Sequence, residues 1–320
     1  MIVPIARSSA TNLWLFVAVF SVATYALIFL SFGFSLRLVG LTDVAPTRAL
    51  YKGTLSSIGP LVGYLVSNQS NVVNTFILTY GARTRNYGMI TAAVIGQALI
   101  YSATGFKTAI MSVPLCILVG LYSRRINSIT GRGFVLYTLA IALAAIVIDS
   151  IRDFNLTQVI INRLLVTSGY LTPIYLVLYD GKDKALWAYS FLSGITPDSY
   201  HGVSPGYYVG QEFLNRPDVQ ANANLFADGF ANLGIFGIAI EALFLVALLF
   251  VLNSAARGLP VYIVVGTIAV PGIAIANGSP ITSALSYGLL ASIVLFALIP
   301  RDIFKQRDFT DLGKSRRSGN

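Results

Sequence analysis

The sequence has one cysteine, Cys116, one histidine, His201, and little charge: Asp, Glu, Lys and Arg make up 11% of its 320 residues. A lone cysteine excludes an internal disulfide, and with a lone histidine it excludes a zinc cluster of the Cys/His kind. An average soluble domain is about one quarter charged, so the scarcity of charge excludes an ordinary soluble protein. Apolar residues fill the chain instead, at 55% of the total with a mean hydropathy of +0.73. The chain reads as an integral membrane protein.

Backbone inside a bilayer must satisfy its own hydrogen bonds, so apolar runs of about 17 residues or more are read as helices. Such runs lie at about 12–33, 58–80, 87–103, 107–123, 133–149, 231–252, 260–276 and 281–299. The fold class is therefore all-α, a polytopic transmembrane bundle of about eight spans forming a single integral membrane domain over 1–320. Arg7 ahead of the first run imitates a signal peptide, but the run is too long and lacks a small-residue cleavage site. It is read as the first span.

The net charge of +9 raises the question of nucleic acid. The basic residues, however, sit singly or in pairs beside apolar runs, so no nucleic-acid partner is expected. Alternating the spans places Arg7, Arg83, Arg85, Arg124, Arg125, Arg132, Arg257 and the basic tail Arg301 to Arg317 on one side. By the positive-inside rule that side is cytoplasmic, and both termini lie there.

The opposite side receives the long segment 150–230. Its apolar stretch Val159 to Tyr179 is interrupted by Arg163, Gly169 and Pro173 and followed by the charged turn Asp180 to Lys184. Only Ala185–Ile195 could return the chain across a bilayer, which is too short for a span. Residues 159–195 are therefore expected as short in-plane or re-entrant helices at the outer face. No internal repeat and no matched pair of broken helices emerges, which counts against a secondary transporter. Asn68, Gln69, Ser70, Asn71 and Asn74 fall inside the second span, where they serve helix–helix hydrogen bonding or line a cavity.

Polar chemistry gathers between Ser199 and Gly237. Asn224, Asp228 and Asn232 are spaced i, i+4, i+8, one stripe on a helix at the start of a span. A helix start can hold sugar hydroxyls or an anion, and Asn and Asp there serve equally as caps. His201, in a turn-rich aromatic loop, is the side chain whose ordinary pKa suits proton transfer near neutrality; Asp198, Glu212 and Asp228 are the carboxylate alternatives. Lys107, Arg163, Lys182, Lys184 and Arg216 are among the outer basic residues, which would hold an anionic substrate or merely snorkel and form local ion pairs. Glu241 lies about ten residues into the sixth span, a costly position for a carboxylate. It does not share the face of Asn224 and Asp228, so it is kept apart from their site, and a buried hydrogen bond accounts for it equally well.

Several segments in a consistent order resemble the Wzy-type oligosaccharide repeat unit polymerases, the O-antigen and exopolysaccharide polymerases. They are Ser31-Phe32-Gly33, Asn71-Val72-Val73-Asn74-Thr75-Phe76, Thr79-Tyr80-Gly81 and Ala103-Thr104-Gly105-Phe106-Lys107-Thr108. The likeness continues through the stretch from Asn222 to Gly234, Gly278-Ser279-Pro280-Ile281-Thr282 and Leu285-Ser286-Tyr287-Gly288-Leu289-Leu290.

The resemblance implies a metal-independent glycosyltransferase of the bacterial inner membrane, with no cofactor expected. It would move a glycan from an undecaprenyl-pyrophosphate carrier to another carrier-linked unit at the periplasmic face. It also implies the pathway's chain-length regulator and flippase as partners. Within that reading Arg163, Arg216 and Lys107 hold the pyrophosphate, and His201 acts as base or orients the acceptor. Asn222, Asn224, Asp228 and Asn232 supply sugar binding or acid/base chemistry. An O-antigen ligase and a transporter or flippase of lipid-linked sugar are the alternatives.

Overall fold

The computed structural model describes residues 8–33, 40, 44–122, 131–151, 157, 161–162, 166–190, 192–301 and 303. Among these the regular structure is helical, without a strand. Each of the eight apolar runs has become helix: α1 (Ala10–Phe32), α3 (Pro60–Asn68) continuing through a π-helical turn (Gln69–Val73) into α4 (Asn74–Thr84), α5 (Tyr87–Thr104), α6 (Lys107–Tyr122), α7 (Gly131–Ile151), α10 (Leu225–Ala256), α11 (Val261–Ala276), and the pair α12 (Pro280–Leu285) and α13 (Leu289–Leu298). Ala10–Phe32, Leu225–Ala256 and Pro280–Leu298 are long and apolar enough to cross a membrane. The remaining helices are α2 (Ala45–Ile58), α8 (Thr167–Tyr179) and α9 (Pro205–Glu212).

The chain divides into two compact units, one of Met1–Ser128, Leu248–Pro271 and Ala284–Asn320, the other of Ile129–Ala247 and Gly272–Ser283. In the first unit local chemistry sets the helix ends. Ser9 caps α1 by accepting from the Asn12 N–H at 3.2 Å, and Asn86 caps α5 through the Met89 N–H at 3.2 Å. The last carbonyls near the ends of α10 and α13 are gathered by Arg301, which donates to Arg257 O at 2.8 Å, Ile299 O at 2.7 Å and Phe296 O at 3.1 Å. A guanidinium suits this place because carbonyls at a helix end carry partial negative charge and lack partners within the helix.

In the apolar run 58–80, Gln69, Ser70 and Asn74 make helix–helix hydrogen bonds. Gln69 donates to Ser21 Oγ and to Asn74 Oδ1, each at 2.9 Å, and the Tyr25 hydroxyl meets the Asn74 amide at 3.1 Å. Ser70 donates to Gln97 Oε1 at 2.9 Å, while Gln97 Nε2 donates to Ser70 O at 2.8 Å and to Ser112 Oγ at 2.9 Å. Buried amides in apolar surroundings must find such partners.

In the second unit α8, α9 and the start of α10 close around Leu171, Tyr175, Tyr179, Val209, Ala223 and Ala227. The Tyr175 hydroxyl ties α8 to the following loop by donating to Ala221 O at 2.8 Å. Gly169 and Pro173, expected as interruptions, lie inside α8.

Two expectations differ from the fold. Ala185–Ile195 was expected to be helical; its described residues form consecutive turns, with left-handed backbone at Leu186, Trp187 and Gly194 that a right-handed helix does not accept. Continuous spans were also expected, whereas α10 breaks at Leu233–Gly234 and Pro280–Leu298 breaks at Ser286–Gly288.

Candidate functional site

The second unit assembles its polar centre around the break in α10. Asn224 begins the helix, its Oδ1 accepting from the N–H groups of Phe226 at 3.1 Å and Ala227 at 3.2 Å, and its Nδ2 donates to Thr172 Oγ1 of α8 at 2.9 Å. At Leu233 (φ −152°, ψ 25°) and Gly234 (φ 63°, ψ −144°) the helix stops and turns. The Gly234 conformation lies outside the regions open to residues with a Cβ. Beyond it the chain folds back against the first half so closely that a Cβ on Gly237 would lie 1.9 Å from Gly229 O. Two facing glycines make this approach possible.

The break exposes the last carbonyls of the first half, and the loop after α8 supplies their donors. Ala185 N–H bonds Ala231 O at 3.0 Å and Leu186 N–H bonds Asn232 O at 3.1 Å. The Asn232 side chain continues the set, its Oδ1 accepting from Trp187 N–H at 2.9 Å. Lys184 donates to Tyr179 O and lies 4.4 Å from the centre of the Phe230 ring, which brings positive charge to the end of this half-helix. Leu186 and Trp187 both have positive φ, 47° and 53°, a costly conformation for large side chains that is held by these bonds.

The result is a pair of carboxyl groups from opposite sides of the break. Asp228 Oδ2 accepts from Asn232 Nδ2 at 3.0 Å and from the Tyr189 hydroxyl at 3.4 Å. Glu241 Oε1 accepts from Trp187 Nε1 and from Ser279 Oγ, each at 3.2 Å. The two carboxyls are within hydrogen-bonding reach of one another. Glu241 and Asn232 expose no surface, whereas Asp228 is half-buried. Asp228 is thus the accessible member of the pair and Glu241 its buried support. Asn232 Nδ2 also donates to Asp228 O at 2.9 Å and to the Tyr189 hydroxyl at 3.2 Å.

Next to this centre the loop carries an aromatic group. Tyr179, Tyr200 and Tyr208 pack with ring centres 4.9–5.5 Å apart, and Lys182 donates to the Tyr208 hydroxyl at 3.3 Å. The Tyr200 hydroxyl donates to Asp183 O at 2.7 Å, and burial, then the neighbouring Tyr208 and Asp183, push its pKa up, so it remains a neutral donor.

Of the residues singled out in the sequence, Asp228 and Asn232 meet in this centre and Asn224 caps the helix leading to it. Asn222 is half-buried, its amide against Gly206. His201 is exposed on a turn with φ 52°, and Arg216 is exposed and paired with Asp218 at 3.3 Å. Neither joins the acid pair among the described residues. Lys107 is exposed at the start of α6 in the first unit, and Arg163 lies outside the described residues.

Sequence reasoning left out Glu241, Trp187, Tyr189 and Ser279. Glu241 carried a signal, its charge within an apolar run, and the expectation that it lay on another face turned it away; Ser279 lay in a segment of the resemblance but was given no role. Among the described residues no group of three or more His, Cys, Asp or Glu side chains could hold a metal ion. No family model, curated protein or solved structure matches this chain.

Proposed function

We propose that this membrane protein is a glycosyltransferase that polymerises undecaprenyl-pyrophosphate-linked oligosaccharide repeat units at the periplasmic face of a bacterial inner membrane. The observation that carries the reading is Asp228: a half-buried carboxylate at a break in an apolar helix, oriented by Asn232 and Tyr189 and backed by a second carboxyl group. The resemblance of the segment Asn222–Gly234 to Wzy-type polymerases adds to it.

In the proposed reaction the acceptor sugar hydroxyl gives its proton to Asp228 while its oxygen bonds the anomeric carbon. The bond from that carbon to the carrier pyrophosphate breaks, and the pyrophosphate leaves with the electron pair. Lys107, Arg163 and Arg216 are the proposed pyrophosphate holders, since basic side chains stabilise charge developing on a leaving group. The loop cations Lys182 and Lys184 are further candidates. Asn222 and Asn224 are assigned to sugar binding, and exposed His201 to orienting the acceptor.

A flippase of lipid-linked sugar is the second reading, favoured by the two helix breaks at Leu233–Gly234 and Ser286–Gly288. An O-antigen ligase would use similar chemistry. A glycan ladder from cells deleted for the gene separates them. The polymerase reading expects single repeat units on deletion, a restored ladder with the wild type, and none with a well-expressed Asp228→Asn variant. Long polymer stranded on its carrier would indicate a ligase, and loss of all periplasmic glycan a flippase.

A further inference from the structure

The acid pair has an unanswered charge. Glu241 exposes no surface, and its Oε2 has no hydrogen-bond donor among the described residues. Among the described residues the donors around the two carboxyls are all neutral: Trp187 and Tyr189 from the loop, Ser279 from the turn before α12, and Asn232 from α10. Among the described residues the titratable neighbours are phenols, Tyr189 of the loop and Tyr175 and Tyr179 of α8. Of the basic residues of the same loop, Lys184 is engaged with the Tyr179 carbonyl and the Phe230 ring, and Lys182 with the Tyr208 hydroxyl. Two ionised carboxylates in contact in an apolar site would repel, and neither could donate to the other, because an ionised carboxyl only accepts.

We infer that Asp228 and Glu241 form a proton-binding site, a single proton being held between Glu241 Oε2 and the Asp228 carboxyl. That one proton supplies the donor that Oε2 lacks and removes the repulsion. It leaves the pair with one negative charge, which the neutral donors disperse. A second proton arriving at the accessible Asp228 neutralises the pair, so the site can take up and release a proton while its buried member stays in place. Glu241 acts through Asp228 and is a positioning residue. The inference stands on the geometry of the pair and holds for any substrate.

Trp187 provides a readout independent of activity, because its indole N–H donates to Glu241 Oε1 at 3.2 Å. The other tryptophan of the chain, Trp14, is removed by Trp14→Phe. The full chain in detergent is titrated with pH while Trp187 emission and far-ultraviolet circular dichroism are followed. The expected result is a sigmoidal change in emission at constant helicity, displaced along the pH axis by Asp228→Asn and abolished by Glu241→Gln, whose amide keeps a donor towards Asp228 at every pH. An emission flat with pH in the folded wild type, or an unchanged transition in Glu241→Gln, overturns the inference. If Glu241→Gln does not fold, displacement by Asp228→Asn decides, and an undisplaced transition overturns it. Repeating the titration in sodium and in choline chloride completes the test: a transition that follows sodium would place a metal cation in the pair and overturn the proton.

Discussion

Asp228 and Glu241 face one another only because α10 breaks between them. On an unbroken helix of 3.6 residues per turn their separation would set them about 220° apart, on nearly opposite faces. The turn at Leu233–Gly234 folds the second half of the helix back on the first and joins the two carboxyls. Every property of the candidate site depends on that local departure from helical geometry.

Gly237→Ala should therefore be destabilising. Its Cβ would lie 1.9 Å from Gly229 O, and relieving such a clash costs about 1–3 kcal/mol or more. Gly169→Ala, with open space around the added Cβ inside α8, should be neutral or stabilising by up to ~1 kcal/mol. Thermal unfolding of both variants in the same detergent checks the difference.

Asn232 holds both sides of the site, accepting from Trp187 N–H and donating to Asp228. Asn232→Ala leaves those buried groups unpaired, an expected loss of about 1–3 kcal/mol. Within the proposed reaction it should also lower the rate by roughly ten- to a hundredfold through misplacement of Asp228. Melting temperature and polymer formation, measured on one preparation, test both effects.

Arg301 serves as a cap at the ends of α10 and α13. Arg301→Ala should destabilise by about 1–3 kcal/mol, since several charge-assisted bonds to carbonyls are lost together. Arg301→Lys should recover only part of this, because an ammonium cannot reproduce the guanidinium fork. Comparing the unfolding of the two variants isolates geometry from charge.

Gln97 links the π-helical turn to α6 through Ser70 and Ser112. Bonds between membrane helices are modest, about 0.6 kcal/mol each on average. Gln97→Leu should thus cost about 1–2 kcal/mol, with Ser112→Ala costing less. A thermal-shift series on these two variants measures the network.

The sequence by itself determined that the chain is helical and belongs in a membrane. Long apolar runs leave the backbone no partner but itself, so the eight runs read from composition all became helices, and the Asn–Asp–Asn stripe before the sixth run was legible from spacing. Gln69, Ser70 and Asn74, polar inside an apolar run, were likewise legible as candidates for helix–helix hydrogen bonding, whereas their partner Gln97 was not singled out. The tertiary structure decided where chemistry meets. Periodicity assumes an unbroken helix, so it separated Glu241 from Asp228, and no local pattern told Gly234 from the other glycines of the chain. Trp187 and Tyr189 reached the acid pair through left-handed turns in a segment expected to be helix. Those turns exist because the broken end of α10 needs donors for its carbonyls, a requirement that arises only once distant parts of the chain are packed together.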